Sequence, residues 1–256
     1  MPWTIERKHD HVAVVTMNTN NVNAQNSTFF DDLHAAFDRL EAEFNDYAIV
    51  LTGTGGAFSA GLDSTTTPLV RATIAERDRR LVRRLSCHQP APLHVSSAYR
   101  GGDQRPCIAG GLITALGRDH RIASDGAPQF SLNEVAIGIP MPAVYCEIIK
   151  HAIGPRAANE LTLFGQIYDL AAAARMGVID KTALPGRLLD DAVAWAALVP
   201  PDCYPAYAFA KRALQATTMA AIDAAARLDR DWLSRRMSES CEPARPCASL
   251  SRTEGP

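Results

Sequence analysis

AIVLTGTGGAFSAGLD, from Ala48 to Asp63, joins a run of β-branched and apolar residues to a loop built almost wholly of small ones. The first half reads as a buried strand, and the glycines and alanines that follow read as a turn through which a ligand can approach the backbone. The same grammar occurs earlier. HVAVVTMN, His11 to Asn18, is another β-branched run that ends in an Asn-rich turn. Between the two, Phe29, Phe30, Leu33, Phe37, Leu40 and Phe44 recur at helical spacing among the charged residues Asp31, Asp32, Asp38, Arg39 and Glu41. Strand, helix, strand results, and a crossover of that length between parallel strands predicts an α/β fold rather than an all-β one.

The whole chain supports a folded body. Its 256 residues are 47% hydrophobic, enough for a sizeable core. With 26 Lys plus Arg against 28 Asp plus Glu, the net charge of -2 supplies no field that would gather nucleic acid or anionic lipid. No apolar stretch approaches the roughly 20 residues of a membrane span. The opening MPWTIERKHD lacks the marks of a secretory signal, and the closing TEGP is not a peroxisomal address, so the expected location is the cytoplasm. Six cysteines without a CxxC pair predict mostly free thiols and neither a disulfide framework nor a zinc site.

Further along, Arg71 to Arg84 reads as a charged, solvated helix without chemistry of its own. After Pro140 the chain turns Ala-rich and helical in several pieces separated by Gly and Pro, and the tail from Cys241 to Pro256 lacks periodicity, as a disordered terminus would.

Three places can carry chemistry. The loop at Gly53–Asp63 follows a strand but lacks the GK[ST] of a P-loop and the third glycine of a dinucleotide fingerprint, which disfavours ATP and NAD. A second loop, CIAGGLITAL from Cys107 to Leu116, has the same small-residue character at Ala109, Gly110 and Gly111. Two backbone donors converging on one oxygen from separate loops would make an oxyanion hole, which suits enolate chemistry. Downstream, QFSLNEVAIGIPMP sets Glu134 in apolar surroundings. Desolvation there would raise its pKa, as suits a group that takes and returns a proton, while a structural capping or pairing role is the plain alternative. His120 and Arg121 read as structural, and Ser59 lacks the GxSxG nucleophile elbow.

Taken together, AFSAGLD, AGG leading into an apolar helix and DHRIAS, LNEVAIGIP, and GPRAANELTLFG followed by AARMGVID resemble the crotonase (enoyl-CoA hydratase/isomerase) superfamily over Val12 to Pro185. The resemblance implies a spiral of ββα units as an acyl-CoA-binding core over 1–185. It also implies a C-terminal helical oligomerisation region over 186–240 before the tail at 241–256, and a homotrimer or dimer of trimers. It implies an acyl-CoA thioester as substrate and no cofactor beyond the coenzyme A of that substrate. Carried over by position, Ala60 and Gly110 would be the oxyanion donors, with Ser59, Gly61, Leu62, Asp63 and Gly111 lining the substrate. Hydratases of the family use two glutamates, and the first of those positions is Ile113 here while the second is Glu134. With VNAQNSTF and FSAGLD, this looks most like the Δ3,Δ2-enoyl-CoA isomerase branch, in which one glutamate shuttles the proton. A hydratase, another thioester enzyme of the fold, and a non-catalytic CoA-binding relative are the alternatives.

One departure bears on the chemistry. APLHVSSAYRGGDQRPCIAGG carries about five residues more than the usual approach to the second loop, including the charged run Arg100–Arg105. It is either a surface bulge costing a few tenths of a kcal/mol in loop closure or a displacement of Gly110 that impairs activity. Chain-length choice would fall to a pocket near Leu69, Val70, Pro140, Met141 and Val144, although these residues read more readily as simple core.

Overall fold

A computed structural model describes residues 3–55, 57–63, 94–98, 107–125 and 128–238. The expectations for Arg71–Arg84, Leu69, Val70, Arg100–Arg105 and the tail lie outside them. A six-stranded sheet has the order β1 (Thr4–His9), β2 (Val12–Met17), β3 (Ala48–Gly53), β4 (His94–Ala98), β6 (His120–Ser124), β8 (Lys181–Ala183). From β2 onward every pairing is parallel. Strand β1 pairs antiparallel with β2 at the edge. Glu6, Arg7 and Lys8 give it the charged face typical of a protected edge strand, so it shows no apolar run in the sequence.

Strands β2 and β3 are apolar almost throughout because both of their faces are covered. Ala13, Val15, Met17, Ile49 and Leu51 join the larger core with Phe29, Phe30, Leu33, Phe37 and Leu40 of α1 (Ser27–Glu43). Val12, Val14, Ala48 and Val50 pack on the other face against Leu188, Ala192 and Ala196 of α5 (Leu188–Ala196). Helix α1 starts at Ser27, where the Asn26 side chain accepts from the Phe29 N–H at 3.0 Å.

A second, smaller layer runs beside this sheet. Strand β5 (Cys107–Ile108) pairs in parallel with β7 (Phe130–Ser131), and an isolated parallel bridge joins Gln25 to Leu62. The turns that begin at β2, β4 and β6 thus each give one strand to the large sheet, one short extended piece to the small layer, and then a helix. After β5 comes α2 (Gly110–Leu116); after β7 come a 3-10 turn (Val135–Ile137) and α3 (Ala143–Leu163). This is the expected ββα spiral.

Helix α3 is broken at Gly154, where φ 77° and ψ 162° leave the helical region and Pro155 restarts it. Helices α4 (Leu170–Arg175) and α6 (Tyr204–Ser238) complete the described chain. The first turn of α3 has no side-chain cap of its own; Asp229 of α6 accepts from the Ala143 and Val144 N–H groups at 2.7 and 3.2 Å.

Candidate active site

The three candidate segments leave the small layer at equivalent points in successive turns of the spiral. Because β5 and β7 run parallel, Gly110, two residues beyond Ile108, and Glu134, three beyond Ser131, emerge at the same end of that layer. The first loop is packed directly on the second. A Cβ on Gly61 would stand 2.7 Å from both the Ile108 carbonyl oxygen and the Ala109 Cβ, and 3.1 Å from the Gly110 nitrogen. Glycine is needed there for space as well as for its φ of +78°.

The amides sort themselves by their partners. The Ala60 N–H, expected as the first oxyanion donor, donates to the Val22 carbonyl at 3.0 Å, so that expectation is corrected: the fold itself consumes this donor. Ser59, expected at the substrate, is fully buried; its hydroxyl donates to the Asn23 carbonyl at 2.7 Å and accepts from the Gly61 N–H at 3.2 Å. It stiffens the loop instead of lining a cleft.

Gln25 N–H donates to the Gly61 carbonyl at 2.8 Å, and Asp63 N–H donates to the Gln25 carbonyl at 3.1 Å. In a trans peptide the C=O and the N–H of the next residue point oppositely, so the Gly61 carbonyl turned toward Gln25 aims the Leu62 N–H away from it. Among the described residues the Leu62 N–H meets no acceptor, and neither does that of Gly110. At Gly110 the cause is Ala109, whose φ of +52° turns the chain out of the β5 ladder after its own N–H has reached the Ser131 carbonyl at 2.9 Å. Leu62 was singled out in the sequence for its position in AGLD, but its amide as a donor was missed, because only the hydrogen bonds of its neighbours reveal which N–H is left over.

Glu134 begins the 3-10 turn, and its carbonyl accepts from Ile137 and Ile139 N–H at 3.2 and 2.8 Å. Its side chain does not cap the turn, and Oε2 is buried with no hydrogen-bond partner. Burial raises the carboxyl pKa, opposed in part by its own backbone N–H. The structural alternative of capping or pairing is therefore not what this side chain does among the described residues. Ile113 is 5% exposed and belongs to the main core, so no second acid stands on the first turn of α2. His120 and Arg121 are engaged elsewhere: Arg121 donates to the carbonyls of Arg118, Gly177 and Val178 and pairs with Asp180 at 2.9 Å. Cys107, Cys146 and Cys203 are free, and burial pushes the Cys107 thiol up to about 12, which keeps it inert. No group of His, Cys, Asp and Glu among the described residues is arranged to hold a metal ion.

Two main-chain N–H groups without acceptors among the described residues lie on loops packed together, and a carboxyl with one buried, unpartnered oxygen leaves the small layer at the same end as Gly110; the chain belongs to the enoyl-CoA hydratase/isomerase family, whose profile matches residues 7–242. Among its relatives, a putative enoyl-CoA hydratase of Thermus thermophilus is 32% identical over 75% of this chain and 76% of its own length. The human mitochondrial enoyl-CoA delta isomerase 1 is 31% identical over 66% of this chain and 56% of its own length. A solved enoyl-CoA isomerase from Mycobacterium tuberculosis superposes with a TM-score of 0.76 at 28% identity, covering 90% of this chain and 98% of that one. Hydratase names predominate among the relatives.

Proposed function

We propose that the chain shifts the double bond of a 3-enoyl-CoA thioester to the 2-position, with Glu134 as the single acid–base. The thioester carbonyl and the adjacent double bond acidify the C2 hydrogen. Glu134 takes it as a proton, and the electron pair released spreads over a dienolate whose charge falls on the thioester oxygen. The Leu62 and Gly110 N–H groups hold that oxygen. The protonated Glu134 returns the proton to C4, leaving the double bond between C2 and C3. No electrons are gained or lost, so the reaction calls on no redox cofactor. A carboxyl whose protonated form is favoured by burial is suited to both halves of the transfer.

The observation that carries this reading is the pairing of an unpartnered Glu134 Oε2 with a buried Ile113 at the place where a second acid would stand. The hydratase names of the relatives favour the second reading, water addition to a 2-enoyl-CoA, which would need water activated by Glu134 alone. The two are separated by following each enoyl-CoA isomer spectroscopically. The isomerase reading expects 3-enoyl-CoA conversion that falls about 10²- to 10⁴-fold in Glu134→Gln. Water addition to 2-enoyl-CoA that survives Glu134→Gln would replace it, and acyl-CoA binding without turnover of any thioester would make the chain a binding relative.

Self-association as a trimer belongs to the same reading. Ile137, Leu163, Phe164 and Ile167 are all more than half exposed, and Gly165 lies against Ala136, which gathers them beside Glu134. An apolar patch of this kind calls for a partner surface. The helical region 186–240 adds exposed Phe209, Leu214 and Leu228. No helix among the described residues is long and apolar enough to cross a membrane. A cytoplasmic location rests on the sequence alone.

A further inference from the structure

We propose that Gln25 is a positioning residue that fixes the Leu62 and Gly110 amides relative to one another, gripping one loop with its main chain and the other with its side chain. The inference rests on the oxyanion reading above. On the first side, the Gln25 N–H and carbonyl hold the Gly61 carbonyl and the Asp63 N–H, the two groups that flank the Leu62 amide. The orientation of the Leu62 N–H is set by that grip, since it shares a rigid peptide plane with the Gly61 carbonyl.

On the second side, Gln25 Nε2 donates to Thr114 Oγ1 at 3.0 Å, and Thr114 Oγ1 donates to the Gly110 carbonyl at 3.0 Å. The Gln25 carboxamide also fills the space that the missing side chain of Gly110 leaves: a Cβ there would collide with Oε1 and stand 3.2 Å from Cδ. Gln25 and Thr114 are each 2% exposed, so this chain of bonds is shielded from competing water. No other described side chain bonds to α2 while its main chain holds the Gly61–Asp63 segment. A leucine at position 25 would fill a similar volume and keep both main-chain bonds, but would release Thr114 and leave α2 free to shift against the first loop. Displacement of a donor by about 1 Å can cost as much as 10²-fold in rate.

The test reads both turnover and the state of the bound carbonyl. A saturated acyl-CoA labelled with ¹³C at the thioester carbonyl is bound to each variant, and the carbonyl stretch is followed by isotope-edited infrared spectroscopy. In the unaltered chain the stretch is expected to fall relative to the free ligand. In Gln25→Leu and in Thr114→Val most of that fall is lost and kcat drops about 10- to 100-fold, while the Kd of the saturated thioester changes less than about threefold. Thr114→Ser keeps the hydroxyl and both readouts. The double variant is no worse than either single one, as expected of two members of one chain of bonds.

A full carbonyl shift and unaltered kcat in Gln25→Leu would overturn the proposal, as would additive losses in the double variant; should Gln25→Leu not fold, Thr114→Val decides in the same way. An unshifted carbonyl in the unaltered chain overturns the oxyanion reading and this proposal with it. If turnover survives Glu134→Gln while the shift still depends on Gln25, the isomerase reading alone fails and the positioning role stands.

Discussion

Gly111 lies against the carbonyl of Ser59, so closely that a Cβ at Gly111 would stand 2.8 Å from the Ser59 carbonyl carbon and 2.9 Å from its Cβ. This contact, with that of Gly61 on Ile108, is the seam along which the two donor loops meet. Ser59 cannot yield, being fully buried and bonded on both sides of its hydroxyl. Gly111→Ala is expected to cost about 1 to 3 kcal/mol in chemical denaturation, as overpacking does. The loss of turnover should exceed tenfold, because relief of the clash spreads the loops.

Glu134 ties activity and stability to pH in opposite senses. In the proposed reaction its carboxyl must be ionised to take a proton, so kcat/KM should fall as pH falls through a pKa raised above the ordinary glutamate value. For stability, the folded state holds this proton to higher pH than the unfolded chain does. Between the two pKa values the folded state binds more protons, and stability declines as pH rises. Glu134→Gln should therefore melt higher than the unaltered chain at neutral pH, and the gain should vanish below the ordinary carboxylate range. Melting curves across pH check this; an unchanged or lower melting temperature at neutral pH would contradict it.

Asp229 supplies the cap that the sequence around Pro142 lacks. Asp229→Ala removes the acceptor of both the Ala143 and Val144 N–H groups and should cost about 1 to 2 kcal/mol in denaturation. Because the bond joins α6 to the start of α3, amide exchange at Ala143 and Val144 should accelerate more than exchange in β2.

His120 is stacked on Trp195 with ring centroids 4.0 Å apart and planes 6° from parallel, and its Nε2 is buried without a partner. Burial lowers its pKa; Asp180 opposes this, while Arg121 and Lys181 reinforce it. The unfolded chain then takes up a proton at higher pH than the folded one, so stability is lost as pH falls from about 6.5. His120→Phe keeps the stack and should flatten that part of the profile in denaturation measured between mildly acidic and neutral pH.

Much of this was legible in the chain itself. The β-branched runs at Val12–Met17 and Ala48–Gly53 and the helical phenylalanines between them gave the strand–helix–strand frame, since a sheet covered on both faces leaves an unmistakable apolar run. Glu134 stood out because a charge in apolar company is costly unless it serves. The choice of donor did not stand out. Ala60 and Leu62 lie two residues apart in a loop of near-uniform composition, and what separates them is that Val22 takes one N–H while Gln25 turns the other outward. The bonds that decide this reach back to a segment more than thirty residues earlier, and no local periodicity encodes them. The same holds for Thr114, whose place inside an apolar helix gives no hint that its hydroxyl links Gln25 to Gly110.

Drawing Leu62, Gly110 and Glu134 each from its own coil of the chain also divides the protein into parts that tolerate length changes and parts that do not. Residues added in the links between strands can loop outward, provided the strands on either side keep their rungs, as β4 does at Ser97 with Ile122 and β5 does at Cys107 with Phe130. A single residue gained or lost between Ile108 and Gly110, or between Ser131 and Glu134, would instead carry the Gly110 amide or the Glu134 carboxyl past its present place. Lengthening the links and shortening those two spans are thus opposite experiments, the first conservative and the second ruinous.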